Sequence, residues 1–453
     1  MKQPHFLLIL LGCLLFSSNT IAQVGLRSGP RMGYVAHREA CILAEFDGAS
    51  NSLVLEAKPV NGTGAVVTET ITAEKRWGYV PVKATLCGLS MNTKYAYRFL
   101  DKGKPVAGAS GTFSTPELWE WRKPAPDFSF LFGSCLYIND SLYDRPGKPY
   151  GADPGILKTM AETPSDFLLW GGDNLYLREA DFSSASGMAY RYSSHFAQPL
   201  VNTLLKTRPS FAIWDDHDYG SNDSDRGFGK KTEALSLFTR YWGNPQFGEP
   251  DQPGTYGKMS WSDCDFFLLD GRYERDADDL PDSINGKPNP DKHFLGEKQL
   301  RWLINGLASS HASFKFIVNG SQVLNALNDK ECFRHYPHEY LLLLEALNNL
   351  KATGVIFLTG DRHYTELIKL PRTGTYPLYD FTCSSITSGV YKGVATGKEA
   401  NNPDRVPGSL LVENNFSKIS IKGPKGKREL VLEVLDAGGN IRFTHSIPQE
   451  SLK

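Results

Sequence analysis

The sequence predicts a large layered α/β domain preceded by a smaller all-β domain. Three observations predict it. Residues 24 to about 115 read as successive strands. After a break at Trp119–Pro126, apolar runs at 128–133, 166–170, 209–214, 265–269, 314–318 and 355–359 alternate with stretches of helical spacing. Strands alternating with helices build a layered α/β domain. Residues 390 to 453 then return to β character. A chain of 453 residues exceeds one typical domain, so two domains are expected, one of them large.

Taken in order, the chain opens with one lysine in Met1–His5, an apolar run over Phe6–Phe16 and a small, polar stretch ending Thr20-Ile21-Ala22. That is the pattern of a secretory signal peptide over residues 1–22, with cleavage expected after Ala22. Leu10-Leu11-Gly12-Cys13 resembles a lipobox, but the apolar run continues past Cys13 and a better cleavage site follows, so a lipoprotein anchor is not expected. The mature chain is expected to be exported, periplasmic or secreted. No other segment offers the ~18 consecutive apolar residues that a membrane span needs.

The all-β domain is expected over 23–118. Cys41–Phe46, Ser52–Ala57 and Gly78–Ala84 are strand-like, and Thr93–Phe99 alternates so that Tyr95, Tyr97 and Phe99 share one face. The order of strand, Ser90-Met91-Asn92 turn and aromatic strand resembles the later strands of a fibronectin type III or immunoglobulin-like sandwich. Residues 119–126, with tryptophans, prolines and charges, read as a linker. Within 127–453, helices are expected around Glu233–Phe238, Leu295–Leu307 and Glu339–Leu350, and strands at Asn415–Lys422 and Glu429–Val434.

Composition excludes some partners. A formal net charge of −1 gives no bulk attraction to nucleic acid or to an anionic membrane. Apolar content of 41% and charged content of 22% are those of a soluble globular protein with a sizeable core. The chain is expected to be a monomer. Beyond Ala22 there are six cysteines, Cys41, Cys87, Cys135, Cys264, Cys332 and Cys383, with no Cys-x-x-Cys pair. Export would permit disulfides, although so large a chain does not need them. Cys264 reads as a small core residue on a strand.

Chemistry concentrates where apolar strands end. Phe-Leu-Leu-Trp-Gly-Gly-Asp (167–173), Ala-Ile-Trp-Asp-Asp-His-Asp (212–218) and Val-Ile-Phe-Leu-Thr-Gly-Asp-Arg-His (355–363) each run from an apolar stretch into carboxylates, and two of them add a histidine. Phe128–Ser134 ends in the same way, at Cys135. Such runs read as strands buried on both faces, and a charge at their end cannot stay in the core unpaired. Sites in open α/β sheets form beyond the carboxyl ends of strands. Each motif alone has an ordinary explanation: Asp-Asp-His-Asp as a helix cap or solvated turn, Gly172-Asp173 as a turn, Cys135 as a buried small residue. Four strand ends in succession offering a thiolate, carboxylates, a phenol and imidazoles point instead to a metal site. The mixture of hard and soft ligands points to two unlike ions.

The set Phe132-Gly133-Ser134-Cys135, Gly172-Asp173-Asn174-Leu175-Tyr176, Trp214-Asp215-Asp216-His217-Asp218 and Gly360-Asp361-Arg362-His363 closely resembles the PhoD-like alkaline phosphatases, relatives of the purple acid phosphatases. Leu269–Arg275 and Leu295–Leu303 fit the same pattern, and the likeness runs from roughly residue 25 to the end. The resemblance implies a four-layer αββα metallophosphoesterase sandwich after the N-terminal β-sandwich. It implies iron, expected to be ferric and then coloured by charge transfer from the Tyr176 phenolate, together with one or more divalent ions, calcium above others. Cys135, Asp173, Tyr176 and His363 would hold the iron, with Asp173 as bridge. Asp216 and Asp361 would bind the second metal, with Asp215, Asn222 and Asn319 as further members of the metal shell. The implied activity is hydrolysis of phosphomonoesters, phosphodiesters or both by a metal-bound hydroxide. His217 would act as general acid or hold the phosphoryl group. Arg272, Arg275 and Arg362 would cradle phosphate. The alternatives are a phospholipase-type diesterase and a non-catalytic surface-binding protein. Position 174 is Asn where the family often has Tyr. Residue 271 is Gly where a polar or branched residue is more usual, which puts the local backbone in question.

Overall fold

A computed structural model of the protein describes residues 23–350 and 352–453. The expected signal peptide and the lipobox cysteine lie outside the described residues.

Seven strands come first: β1 Leu26–Val35, β2 Glu39–Phe46, β3 Ser50–Pro59, β4 Val67–Ala73, β5 Val80–Cys87, β6 Lys94–Asp101 and β7 Lys104–Ser114. They form a three-stranded sheet, β1-β2-β5, and a four-stranded sheet, β4-β3-β6-β7. Both sheets contribute to one apolar cluster that contains Ile42, Leu55, Val82, Tyr95, Tyr97 and Phe99. Strand β6 alternates exposed and buried residues as its sequence requires, with Tyr95, Tyr97 and Phe99 inward. One expectation is corrected. The strand read at Gly78 begins at Val80, because Trp77 and Gly78 both take left-handed backbone angles (φ 48° and 98°) in a turn.

No regular element occupies 119–126. The larger part of the chain then builds two six-stranded sheets. The first uses β8 Phe128–Gly133, β9 Phe167–Gly171, β10 Ser210–Ile213, β19 Asn415–Lys422, β20 Glu429–Asp436 and β21 Ile441–Pro448, in the order β10-β9-β8-β19-β20-β21. The second uses β11 Gly257–Trp261, β12 Cys264–Leu268, β15 Phe314–Asn319, β16 Val355–Thr359, β17 Glu366–Leu370 and β18 Leu378–Thr382, in the order β11-β12-β15-β16-β18-β17. A small hairpin, β13 Ser283–Ile284 and β14 Lys287–Pro288, stands apart. The helices are α1 Ile156–Glu162, α2 Ala185–Ala197, α3 Pro199–Leu205, α4 Asp216–Tyr219, α5 Lys231–Tyr241, α6 Glu297–Ser309 and α7 Pro337–Asn349.

Strands β8, β9 and β10 run parallel, as do β12, β15, β16 and β18. Their carboxyl ends therefore line up. The inward side chains of both sheets merge in one cluster, where the Phe130 and Phe167 rings stack 4.9 Å apart and Phe266 and Phe316 stand against them. The opposite faces of β8, β9 and β10 present Leu131, Leu168, Trp170 and Ala212 to a second cluster shared with α1, α2, α3 and α5. Alternation along each strand thus divides its residues between two cores.

The N-terminal sheets dock onto α2 and α5. Arg31 stacks over Phe196, 4.3 Å from the ring centroid, and donates to the Tyr241 carbonyl; Ser193 donates to Glu45 at 2.6 Å. All six described cysteines are free, and Cys264 is the buried strand residue its sequence predicts.

Candidate metal centre

Strand ends from both sheets meet at one place. From the first sheet come Cys135 after β8, Asp173 after β9 and Asp215–His217 after β10. From the second come Asn319 at the end of β15, Asp361 and His363 after β16, and Ser384 after β18. Glycine permits the approach. At Gly172 (φ 95°) a Cβ would lie 2.8 Å from the Asp215 Cβ, and at Gly320 it would lie 2.5 Å from the Asp215 carboxyl carbon.

Four of the predicted ligands, Cys135 (φ 61°), Asp173 (53°), Asp361 (67°) and His363 (57°), have left-handed backbones. Non-glycine residues seldom adopt that region, and those that do cluster at functional sites.

Cys135 Sγ accepts from Ser384 Oγ at 3.1 Å and lies 3.6 Å from Asp173 Oδ2. Tyr176 Oη donates to Asp173 Oδ2 at 2.9 Å and is 3.3 Å from His363 Nε2. The His217 N–H donates to Asp173 Oδ1 at 3.3 Å, and the His217 ring lies against Tyr176, centroids 4.2 Å apart. Three sets of ligand atoms each lie within 4.8 Å of one another: Cys135, Asp173 and His363; Asp173, Asp216 and His217; Asp215, Asp216 and Glu331. Asp173 belongs to the first two sets and Asp216 to the last two, so the sets form a chain. Asp361 belongs to none of them, although its carboxyl interacts electrostatically with Glu331, Asp215 and Asp216.

The electrostatics call for a cation. Burial raises the Cys135 thiol, the Asp173 carboxyl and the Tyr176 phenol above their ordinary pKa values. Nearby acidic groups add to this: Asp173 acts on Cys135 and on Tyr176, and Asp216 acts on Asp173. Burial lowers His363 to about 4, leaving it as the neutral imidazole that ligates metals. Several buried oxygens have no hydrogen-bond partner: Asp215 Oδ2, Asp216 Oδ1 and Asn319 Oδ1. Buried acceptors are almost always satisfied, so an oxygen-lined gap of this kind suits a hard cation.

The other predicted residues have defined places. Asp218 is the capping acceptor for the Asp215 and Asn174 N–H groups, and burial pushes it up to about 8; the cap reading of Asp-Asp-His-Asp therefore applies to Asp218 and leaves Asp215 Oδ2 and Asp216 Oδ1 without a hydrogen-bond partner. Asn174 uses its side chain to donate to the Ile213 carbonyl at 2.7 Å. Asn222 is exposed, beyond α4, and makes no side-chain hydrogen bond among the described residues. Arg272 is fully buried, with its fork between Asp215 (Nε to Oδ1, 2.6 Å) and Glu331. Arg275 is likewise buried, against Glu331 and Asp278. Arg362 pairs with Glu399 at 3.0 Å and donates to Tyr364. All three guanidiniums are buried and paired with carboxylates. At Gly271 a Cβ would meet Phe294 at 3.2 Å and Asn319 Oδ1 at 3.3 Å, which accounts for glycine there.

The sequence reading missed Glu331 and Ser384. Glu331 lies deep in the irregular loop that follows β15, away from the strand's end. Ser384 follows a strand, β18, but Asp380 interrupts that strand's apolar residues, so the signal that marks the other strand ends is missing.

With this geometry the fold can be compared with known ones. The chain superposes on the structure of PhoD with a TM-score of 0.73 at 16% identity, covering 95% of this chain and 91% of that one. It superposes on a purple acid phosphatase from yellow lupin (Lupinus luteus) seeds with a TM-score of 0.62 at 12% identity, covering 92% and 74%. A mixed α/β fold of the PhoD and purple acid phosphatase type is the class this fold defines. Alkaline phosphatase D of Bacillus subtilis (strain 168) is 22% identical over 365 residues, 70% of this chain and 58% of that protein. The match therefore spans less than two thirds of that relative's length. The model of the PhoD-like phosphatase family matches residues 154–419, more than half of the chain, and the chain belongs to that family. The matched range contains Asp173, Asp215–Asp218, Arg272 and Asp361–His363; Cys135 precedes it. Among the described residues no helix is long and apolar enough to cross a membrane.

Proposed function

We propose that the protein is an exported metal-dependent phosphoesterase that hydrolyses small phosphomonoesters, phosphodiesters or both. The observation that carries this reading is the chain of ligand sets joined through Asp173 and Asp216. Cys135, Asp173, Tyr176 and His363 would hold iron, because thiolate, phenolate and imidazole suit it better than they suit calcium. Asp216 and Asp361, with Asp215 and Asn319, would hold a hard divalent ion, calcium before others; Glu331 joins this group and Asn222 is left out of it. Bound there, the pair would supply Lewis acidity toward water and the phosphoryl oxygens.

The chain's own residues would then do the following. Asp173 links the two ion sites. Arg272 holds the Asp215 and Glu331 carboxylates in place. The His217 side chain is 21% exposed, which gives it access to the leaving oxygen or to the phosphoryl group. The division into 23–118, 119–126 and 127–453 and the four-layer αββα order also belong to this reading. They are supported by the helix-free stretch between β7 and β8 and by the two cores on either side of β8 and β9.

The test is metal analysis of the purified protein, with turnover of nitrophenyl phosphate and bis-nitrophenyl phosphate. Iron with hydrolysis of at least one ester is expected; no iron and no hydrolysis of either would overturn the reading. Asp173→Asn should lose both metals and turnover, and full activity in that variant would refute the bridge.

A further inference from the structure

The two nitrogens of His363 face different partners. Nε2 lies 3.3 Å from Tyr176 Oη, on the side of Asp173 and Cys135, and Nδ1 lies 3.0 Å from Tyr150 Oη. A neutral imidazole has one bare nitrogen and one N–H. If Nε2 is bare toward the ligand group, the hydrogen is on Nδ1 and Tyr150 Oη accepts it. The Tyr150 O–H is then left pointing away from His363, and this residue is 47% exposed.

Tyr150 is held firmly for so exposed a residue. Its ring meets Tyr137 edge-on at 4.8 Å, and Tyr137 in turn lies 5.0 Å from Tyr176. The next residue, Gly151, is clamped at both backbone groups by the Asn139 amide (2.9 and 2.8 Å), and Ala152 donates to the Thr387 carbonyl at 2.6 Å. Gly389 packs so closely that a Cβ there would come within 3.0 Å of the Tyr150 ring. No such fixing is needed for a ring that merely covers surface.

We propose that Tyr150 is a positioning residue of the metal centre, its hydroxyl fixing the tautomer and ring orientation of His363. The inference rests on the reading of Cys135, Asp173, Tyr176 and His363 as an iron site. Outer partners of ligating histidines typically contribute ~10–100-fold in metal affinity or activity.

The experiment compares the purified full chain with Tyr150→Phe and Tyr150→Gln. It records iron retained after dialysis against a chelator, the visible absorption band of the Tyr176–iron pair, and kcat and KM separately. In Tyr150→Phe, iron affinity should fall ~10–100-fold, the band should shift or weaken, and kcat should fall with little change in KM. Tyr150→Gln, whose amide oxygen can accept the same proton, should recover part of the loss. Wild-type iron retention and band in Tyr150→Phe would overturn the proposal, as would a Gln variant no better than the Phe variant. Wild-type protein with neither iron nor the band would overturn the iron reading itself, and this proposal with it.

Discussion

Replacing Arg272 by methionine would keep much of the side-chain volume and remove the guanidinium from between Asp215 and Glu331. Arg272 is fully buried; Asp215 is 2% exposed and Glu331 is 7% exposed. Its Nε meets Asp215 at 2.6 Å, Nη1 meets Glu331 Oε1 at 2.7 Å, and Nη2 reaches Glu331 Oε2. The variant would leave two carboxylates within 4.8 Å of each other and of Asp216, Asp215 with no cation of its own and Glu331 with Arg275 alone. Breaking one buried pair typically costs ~3–5 kcal/mol, and here two acids lose one partner, so the upper end applies. For a large domain ~2–4 °C of melting temperature goes with each kcal/mol, which gives a fall of about 10 °C in metal-free protein. The assay is thermal unfolding of chelator-treated Arg272→Met, Glu331→Gln and the double variant. The double variant should be less destabilised than the sum of the single ones, by ~0.5–3 kcal/mol. A single variant that melts like wild type, or strict additivity in the cycle, would refute the role of Arg272 as the counter-charge of this acidic group.

Gly172→Ala should destabilise by ~1–3 kcal/mol through its left-handed backbone, and more because the new methyl meets Asp215, with metal occupancy falling alongside. Unchanged melting and unchanged metal content would contradict the close approach of β9 and β10. His293 donates to Glu339 at 2.9 Å, and that hydrogen bond raises its pKa above the ordinary 6.5. A raised histidine stabilises the fold fully below the unfolded value and loses the contribution as pH rises through the folded value. Stability should therefore decline above about pH 6.5, by under about 1 kcal/mol because the ring is partly exposed. Chemical denaturation should show this slope in wild type and lose it in His293→Gln; equal slopes would refute it.

Much of the fold was legible because most of the parallel strands are short and carry runs of three or more apolar residues. The six apolar runs from 128 to 359 became β8, β9, β10, β12, β15 and β16. The strands β17 and β18 were not legible. Glu366, Lys369 and Asp380 leave no run of more than two apolar residues within them, whereas Asp265 in β12 and Lys315 in β15 are each followed by three or more. Asp380 is nevertheless buried, accepting from Val323 N, Leu324 N and Thr359 Oγ1, and Glu366 is paired with Arg405. Helix α2 was hidden because it buries Arg191, Ser193 and His195 beside its apolar residues Met188, Ala189, Tyr192 and Phe196, and the polar residues blur that stripe. At the site, residues delivered by strand ends could be read from pattern. Glu331 and Tyr150 come from loops that tertiary contacts place, and their local sequence carries no period from which to read them.

The four left-handed backbones at Cys135, Asp173, Asp361 and His363 bear on how such a chain would change once its chemistry were no longer selected. Glycine adopts this conformation without strain, whereas other residues give up ~1–2 kcal/mol at each position. Mutational drift would therefore favour glycine or asparagine at these positions, and the products would melt higher than the parent. A relative with the same two sheets but glycine at several of these strand ends would mark a lineage that kept the scaffold and abandoned hydrolysis. In this chain none of the four positions is glycine.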